Sequence, residues 1–209
     1  MNITTEVKKY VLENIFVKKG LKTNIVNYSK LSKKIIKECN LKEKDFDAVV
    51  VALRRVAYAM EKDTTIDKKV KSILQSSRIE IKTKMFVTII EREHHSKLIA
   101  LYKEIRNQNG RIYAIEGLEV ITIIAPEEFE HIITKYFKTS IIRKTNNLAQ
   151  IILISHESLE KIPGVTAYIC TLLAEKRINI VEMMSCWTDT IFLIEEKDIQ
   201  QAVNTLTFK

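Results

Sequence analysis

The amino-acid sequence predicts an α+β protein in which a three-helix N-terminal unit precedes two units with the order βαββαβ. Apolar residues recur at helical spacing in the first part of the chain and switch repeatedly between helical spacing and a period of two in the rest. Second strands are predicted to begin 27 and 28 residues after Met85 and Gln150, which indicates an internal repeat. The expected domains are a helical domain at 1–62, a connector at 63–77, and the two sheet units at 78–145 and 146–209.

The first two helices of the N-terminal unit each show one apolar face. The first is predicted over residues 4–18, and Gly20 ends it, since glycine readily adopts the left-handed conformation that closes a helix. The second is predicted over residues 28–39, and Asn27 or Ser29 caps its N-terminus with a side-chain oxygen. These apolar faces predict a small helical core.

The third predicted helix covers residues 45–62, with apolar side chains from Phe46 to Met60 on one face. Two short helices joined by a tight segment after a leading helix give the outline of a helix-turn-helix. Residues 27–55 are similar in this order to the helix-turn-helix of small prokaryotic regulators. Residues 63–77 then predict a hinge and a short connecting helix.

The whole net charge of +8 lies in the first part of the chain. Residues 1–75 contain 17 lysine and arginine residues against 9 aspartate and glutamate residues, whereas residues 76–209 contain 17 of each. A basic unit binds polyanions because neutralising phosphates releases counterions. We therefore expect DNA as a partner of the N-terminal unit, with contacts from the second and third helices: Tyr28, Ser29, Lys30, Lys33, Arg54, Arg55, Tyr58 and Lys62.

The start of the third helix favours a different kind of partner. Asp47 and the three valines Val49 to Val51 are acidic and apolar, whereas helices that read bases usually carry polar or basic residues there. The same unit is therefore also interpreted as a dimerisation or protein-docking module. A solvated lysine-rich helical surface is the plain alternative explanation of its charge.

The first βαββαβ unit is predicted over residues 78–145. Its strands are rich in β-branched residues, and its second helix opens at Pro126 with acidic residues in the first turn, where the helix dipole favours them. The predicted elements are a strand at 79–91, a helix at 95–109, strands at 111–116 and 118–124, a helix after Pro126 and a strand at 140–144.

The second unit is predicted over residues 146–209 and has no room for a fourth strand after its last helix. A spare strand near Ile79 and Ile81 either fills that place or pairs across a dimer. The predicted elements are a strand at 148–155, a helix from Pro163-Gly164 to Arg177, strands at 178–185 and 189–195, and a helix at 197–206.

The order βαββαβ gives a ferredoxin-like sandwich, a four-stranded antiparallel sheet with two helices on one face. Its helix-free face also carries apolar residues, and an exposed apolar sheet associates with whatever can cover it. We expect a neighbouring copy of the chain, or another protein chain, to cover this apolar face. We therefore expect a homodimer or a higher homo-oligomer.

Residues 163–203 resemble the ACT domain, most closely the C-terminal regulatory copies in aspartokinases. Residues 85–144 match that family only in element order, and the N-terminal third lies outside the resemblance. It implies two ACT domains, which are regulatory modules that bind amino acids at interfaces between paired copies. The matching elements are the Pro163-Gly164-Val165 helix opening, Leu172-Leu173-Ala174, Ile178-Asn179-Ile180, and Asp198 with Ala202-Val203.

The resemblance places an amino-acid site at the helix that opens with Pro163-Gly164. A helix N-terminus offers free N–H groups and a positive dipole to a carboxylate, and Gly164 lets a ligand approach the backbone closely. A helix cap that packs and binds nothing is the alternative. The expected ligand residues are Ser158, Ile162, Pro163, Gly164, Val165, Thr166, Asn179 and Ile180.

Two departures from the family restrict the expected site. The family often has glycine immediately before the Ile-Asn-Ile stretch, where this chain has Arg177. The first unit has Glu93-His94-His95-Ser96 where the Pro-Gly opening is expected. We therefore expect an amino-acid site in the second unit only.

The sequence shows no grouping typical of catalysis, of a metal centre or of a cofactor site. Cys39, Cys170 and Cys186 are far apart and form no CxxC pair, so we expect reduced thiols in the cytoplasm. No apolar run reaches about 18 residues, and the first residues lack the apolar core of a signal peptide, so no membrane partner is expected.

These features predict an amino-acid-responsive regulator rather than an enzyme. In one hypothesis it is a transcriptional regulator, in which the helix-turn-helix binds DNA and the ACT pair senses an amino acid. That architecture is similar to the feast/famine regulators, although the sensor is doubled here. In the alternative, the chain is an allosteric subunit that docks through its helical unit on an enzyme of amino-acid metabolism.

Overall fold

The computed structural model of the chain describes residues 2–61 and 65–208. The chain divides into two compact units, Met1–Lys68 and Lys69–Lys209. Residues 63 and 64, the first of the expected connector, lie outside the described part. Within the described ranges, none of the helices combines the length and apolarity needed to cross a bilayer.

The first unit consists of α-helices packed around its last helix, α4. Helices α1 and α3 both contact α4, whose buried face presents Val49, Leu53 and Ala57 at helical spacing. The Asn27 side chain accepts a hydrogen bond from the Lys30 N–H at 3.0 Å, so Asn27 is the N-cap of α3. The elements are α1 (Ile3–Glu13), α2 (Ile15–Lys22), α3 (Tyr28–Glu38), a 3-10 turn (Glu43–Asp45) and α4 (Phe46–Glu61).

The prediction of a single first helix ended by Gly20 is wrong. Asn14 has extended backbone angles, φ −110° and ψ 94°, and divides the segment into α1 and α2. Asparagine disfavours a helix interior because its side chain competes for backbone hydrogen bonds. Gly20 lies inside α2, where a Cβ atom would meet Val26 Cγ2 at 2.6 Å, so its role is close packing. The described part of this unit therefore has four α-helices rather than three.

The second unit alternates strands and helices in the predicted order. Helix α5, predicted as part of a connector, begins four residues before the boundary at Lys69 and contributes Val70, Ile73 and Leu74 to a core of this unit that it shares with α8 and α9. The helices are α5 (Thr65–Gln75), α6 (Ser96–Asn107), α7 (Glu130–Phe137), α8 (Val165–Glu175) and α9 (Ile199–Leu206). The strands are β1 (Arg78–Glu91), β2 (Tyr113–Glu116), β3 (Val120–Pro126), β4 (Ile141–Ile154), β5 (Glu182–Cys186) and β6 (Asp189–Glu195).

The six strands of the described residues belong to one antiparallel sheet in the order β2-β3-β1-β4-β6-β5. Two separate strands were expected at 140–144 and 148–155, and this expectation is wrong because β4 runs through both segments. Two separate sheets are therefore replaced by one sheet with two long central strands. Each of these strands, β1 and β4, has 14 residues.

Both long strands change direction at a residue with left-handed backbone angles. Lys84 in β1 has φ 54° and Asn147 in β4 has φ 57°, and the β1–β4 register shifts between Lys82 and Met85. Such a bulge bends a strand and increases its twist. Each long strand is thereby divided into two parts that serve different halves of the sheet.

The first part of β1 completes the second half of the sheet. Ile79 pairs with Leu153 and Ile81 pairs with Ile151, so residues 78–82 lie beside the second part of β4. The expectation that this segment fills the place of the missing fourth strand is confirmed. Each half of the sheet then has four strands, in the orders β2-β3-β1-β4 and β5-β6-β4-β1.

The helix-free faces of the two halves cover each other. One buried cluster contains Met85, Val87 and Ile124 from the first half together with Leu148 and Leu193 from the second, and no helix residue belongs to it. On the opposite face, helices α6 and α7 cover the first half, and α5, α8 and α9 cover the second. A neighbouring copy was expected to bury these helix-free faces, but residues of the same chain bury them.

Helix α7 is attached to β4 through the carboxylate of Glu130. Lys144 Nζ donates to Glu130 Oε1 at 2.9 Å, and Asn146 Nδ2 donates to Glu130 Oε2 at 2.8 Å. The hydrogen bond from Lys144, followed by that from Asn146, lowers the pKa of Glu130. A carboxyl group with a lowered pKa stabilises the fold above its ordinary pKa, and that stabilisation is lost as the pH falls through the folded-state value.

We expect Glu130→Gln to remove part of the acid sensitivity of the second unit. The wild-type chain should lose free energy of unfolding between pH 7 and about pH 3, and the variant should lose less over the same window because it has no carboxylate to protonate. Urea unfolding at the two pH values measures this difference. Glu160→Gln, at an exposed position, is the control and should behave as wild type. Equal acid sensitivity in Glu130→Gln and wild type would contradict the assignment.

Candidate functional site

The start of α8 is an open turn in which Gly164 adopts a conformation that favours glycine. Gly164 has φ 91° and ψ −2°, and a Cβ atom placed there would meet no atom within 4 Å. No side chain caps the helix, because the N-cap residue is this glycine. The first intrahelical hydrogen bond runs from the Tyr168 N–H to the Gly164 carbonyl oxygen, which leaves the N–H groups of Val165 and Thr166 without a helical acceptor.

Four other residues expected at this site, Ser158, Ile162, Pro163 and Thr166, lie within six positions of Gly164 in the chain. Ser158 lies half-buried in a 3-10 turn (Glu157–Lys161), where its backbone N–H donates to His156 Nδ1 at 3.2 Å. Ile162 is half-buried, and Pro163 and Thr166 are exposed. The loop therefore presents backbone N–H groups and small exposed side chains to solvent, which suits a carboxylate.

Asn179 and Ile180 lie at the opposite end of α8. They follow the C-terminus of the helix, in an irregular segment that precedes β5, so the prediction that this strand begins at residue 178 is wrong. The 11 residues of α8 span roughly 16 Å at the usual helical rise. Because of this separation, Asn179 cannot contact a small ligand held at Gly164 of the same chain. Its side chain is exposed.

The turn that leads into this segment contains Arg177, at the position where the family often has glycine. Arg177 has φ 58°, a left-handed conformation that favours glycine. The corresponding residue of the first half is Asn109, with φ 57°. Asparagine tolerates this conformation better than arginine does, so the arginine is a local strain on the backbone.

The first half has no open turn where the second has Gly164. A 3-10 turn (Arg92–His94) leads directly into α6, and His95 precedes the helix with right-handed angles, φ −48° and ψ −40°. His95 Nε2 also lies 2.9 Å from Glu116 Oε1, so a side-chain pair occupies this end of the half. This geometry favours the expectation of a single amino-acid site, which stays a prediction.

The first half does contain a depression that the sequence did not reveal. Its volume is about 610 Å³, and it lies between the C-terminus of α6 and the start of β2, away from the expected ligand residues. Gly110 and the arginines around it were the available signal, but a glycine after a helix is normally read as a stop. The lining residues are Tyr102, Ile105, Arg106, Asn109, Gly110, Arg111, Ile112 and Tyr113.

The residues expected to contact DNA lie on α3 and α4 of the first unit. The Arg54 guanidinium lies 5.9 Å from the centre of the Tyr28 ring, which brings the start of α3 beside the middle of α4. Lys62 lies outside the described residues. Tyr28 is half-buried, and the exposed members of the set are Ser29, Lys30, Lys33, Arg54, Arg55 and Tyr58.

Core packing explains part of the apolar start of α4. Val49 is buried and Val50 half-buried, whereas Val51 is exposed. In residues 2–61 and 65–208, no three His, Cys, Asp or Glu side chains converge as metal ligands. Cys39, Cys170 and Cys186 are free thiols.

Comparison with known proteins identifies the C-terminal part of the chain. Residues 145–207 match the family model of the ACT domain, and no curated protein matches the chain. Aspartate kinase from Clostridium acetobutylicum superposes with a TM-score of 0.52 at 18% identity, over 63% of this chain and 34% of that one. The matched part of this chain thus spans about a third of the length of that enzyme.

Two other structures are similar to this chain over nearly their whole length. The regulatory subunit of aspartate kinase from Thermus thermophilus superposes with a TM-score of 0.51 at 9% identity, over 63% of this chain and 94% of that one. A structure of aspartokinase alpha and beta subunits gives 0.51 at 17% identity, over 61% and 93%. At these identities the likeness concerns the fold. The segment of this chain that follows residue 144 has the ACT fold.

Proposed function

We propose that the chain is an amino-acid-responsive regulatory protein whose ligand binds at the start of α8. The observation that carries this proposal is the uncapped N-terminus behind Gly164, inside the segment that matches the ACT domain. The N–H groups of Val165 and Thr166 receive the ligand carboxylate, and the absent Cβ of Gly164 leaves room for it. In this role both halves of the sheet act as ACT domains, and the chain is a regulator rather than an enzyme.

A second copy of the chain completes the site. Asn179 is exposed but lies roughly 16 Å along α8 from Gly164, so one chain cannot bring both to one small ligand. In a twofold arrangement, Asn179 of one copy reaches the turn of the other, and its side-chain oxygen accepts from the ligand ammonium. The protein is then a homodimer or a higher homo-oligomer that assembles through its ACT halves.

A thermal-shift screen of the full chain against the twenty amino acids tests the site. A ligand at about 100 times its Kd stabilises the native state by about 2.7 kcal/mol, and for a chain of this size that raises the melting temperature by roughly 5–10 °C. Asn179→Ala should lose most of this rise, and Asn204→Ala, at an exposed position on α9, should keep it. No rise with any amino acid at millimolar concentration would exclude the proposed site.

The first unit is proposed to bind DNA, which makes the protein a transcriptional regulator. The exposed cations on α3 and α4, and the contact of Arg54 with Tyr28, support a joint phosphate-binding surface. The affinity for duplex DNA should fall steeply with salt, with a logarithmic slope of about −0.9 per phosphate contact. The double variant Arg54→Ala/Arg55→Ala should flatten that slope. Binding that does not depend on salt, or no binding at 50 mM salt, would exclude this role.

An exposed apolar surface on the first unit supports the alternative, docking on an enzyme of amino-acid metabolism. Ile15 and Phe16 at the start of α2 are 72% and 84% exposed, and Ile25 beyond that helix is 79% exposed. Large apolar side chains exposed on a surface are typical of protein interfaces when they form a patch. Under this alternative the chain co-purifies with such an enzyme and without nucleic acid, and Phe16→Ser abolishes the association, whereas Arg54→Ala/Arg55→Ala leaves it intact.

A further inference from the structure

Gln150 is a buried side chain without hydrogen-bond partners in the middle of β4. It pairs in register with Lys82 of β1 and Leu193 of β6, and by strand alternation it faces the helix-free side together with Leu148 and Ile152. It is 0% exposed, and neither its amide nitrogen nor its amide oxygen has a partner among the described residues. Buried polar groups are nearly always hydrogen-bonded, so an orphaned amide points to a group that is bound there.

A small cavity lies against Gln150, where the two halves of the sheet meet. Its volume is about 200 Å³, which corresponds to roughly seven water molecules at about 30 Å³ each. That is room for a small metabolite and too little for a nucleotide. The first half contributes Arg111, Tyr113, Glu128 and Phe129 to the lining, and the second half contributes Lys82 and Gln150.

The charged groups of the lining are available to a ligand. Across the described residues, the side chains of Lys82, Arg111 and Glu128 form no ion pair. Arg111 and Glu128 are exposed, Lys82 is half-buried, and Gln150 is buried. Two cations and one carboxylate give the cavity a net charge of +1, which suits a ligand of charge −1 with two carboxylates and one ammonium.

We propose that this cavity binds a free amino acid with an acidic side chain. Arg111 binds one carboxylate through its fork of donors, and Glu128 binds the ammonium. Lys82 and the Gln150 amide nitrogen bind the second carboxylate. This site is separate from the turn at Gly164, and it joins the two halves because each contributes part of the lining.

Calorimetric titration of the full chain with L-aspartate and L-glutamate tests the proposal. One of them should bind once per chain, and L-glutamine should bind at least about tenfold more weakly because it lacks the second carboxylate. Arg111→Gln and Gln150→Leu should each weaken binding by about tenfold or more. Asn179→Ala should leave the affinity unchanged. Loss of binding in Asn179→Ala but not in Arg111→Gln would assign the ligand to α8 and overturn the proposal.

The unliganded Gln150→Leu variant gives an independent readout. Leucine has a similar volume and leaves no polar group unpaired, so the melting temperature should rise above that of wild type. A fall would show that Gln150 is paired within the protein and would overturn the inference. Arg111→Gln changes an exposed side chain and keeps the test valid if Gln150→Leu folds poorly. Two further results would overturn the proposal. One is the absence of any binding heat with either acidic amino acid at a concentration of about 100 times a micromolar Kd. The other is an equal affinity for L-glutamine.

Discussion

Replacing Phe192 by alanine is expected to lower the free energy of unfolding of the second unit by about 3–5 kcal/mol. The Phe192 ring is 0% exposed in the middle of β6, and it packs with Ile169 and Leu173 of α8 and with Ala202 of α9. Alanine leaves a cavity that these neighbours cannot fill because strands on both sides fix the backbone. A thermal melt followed by circular dichroism should show a shift of roughly 10 °C.

The same variant tests whether the two halves of the sheet unfold together. Strands β1 and β4 belong to both halves, so weakening one half should destabilise the other. The fluorescence of Trp187, at the β5–β6 turn, should follow the same transition as the circular dichroism. Ile99→Ala, at a side chain that is 60% exposed on α6, is the control and should change stability by less than about 0.5 kcal/mol. Because the helical unit can give a circular-dichroism transition of its own, the shared sheet is tested by hydrogen exchange: loss of protection in β5 and β6 while β2 and β3 stay protected would contradict it.

The second large loss of stability is expected from a substitution at Gly110, because a Cβ atom there would enter the core of the first half. A Cβ atom there would clash with the Phe129 ring and lie 2.5 Å from Ile105 Cγ2. Both neighbours are buried, and such overpacking typically costs about 1–3 kcal/mol. Gly110→Ala should therefore lower the midpoint of urea unfolding, with little change in the slope.

A second substitution distinguishes a clash from a general backbone effect. In the double variant Gly110→Ala/Phe129→Leu the ring is gone, so the added methyl group should cost less than in the wild-type background. The control is Phe129→Leu alone. If the two changes are additive, the clash with the ring is not the cause. Gly110 also lines both the depression of the first half and the cavity between the halves, so the same variant should weaken the binding of any ligand there.

The sequence predicted most of the elements of the second unit because their apolar periods are strong. It also predicted that the segment at Ile79 either fills the place of the missing strand or pairs across a dimer, and the structure shows the first. It did not predict that β4 is continuous, because Thr145-Asn146-Asn147 has the composition of a turn. In the structure these residues form the bend of one strand, and Asn147 supplies the left-handed angles.

The expected ligand residues were chosen by resemblance, and their separation could not be read from the sequence. Gly164 and Asn179 lie close in sequence, but the helix between them places them at its two ends. The Gln150 cavity was missed for a similar reason. One glutamine in a strand is unremarkable, and only the tertiary structure shows that its amide lacks a partner.

Because the first part of β1 pairs with the second part of β4, no single cut in the chain yields two intact sandwiches. A fragment that begins at residue 146 would leave the backbone of β4 unpaired along 150–154, where residues 78–82 normally bind. An open apolar strand edge of this kind recruits other chains and aggregates. Any truncation meant to isolate the carboxyl-terminal sensor must therefore carry a graft of that short amino-proximal strand.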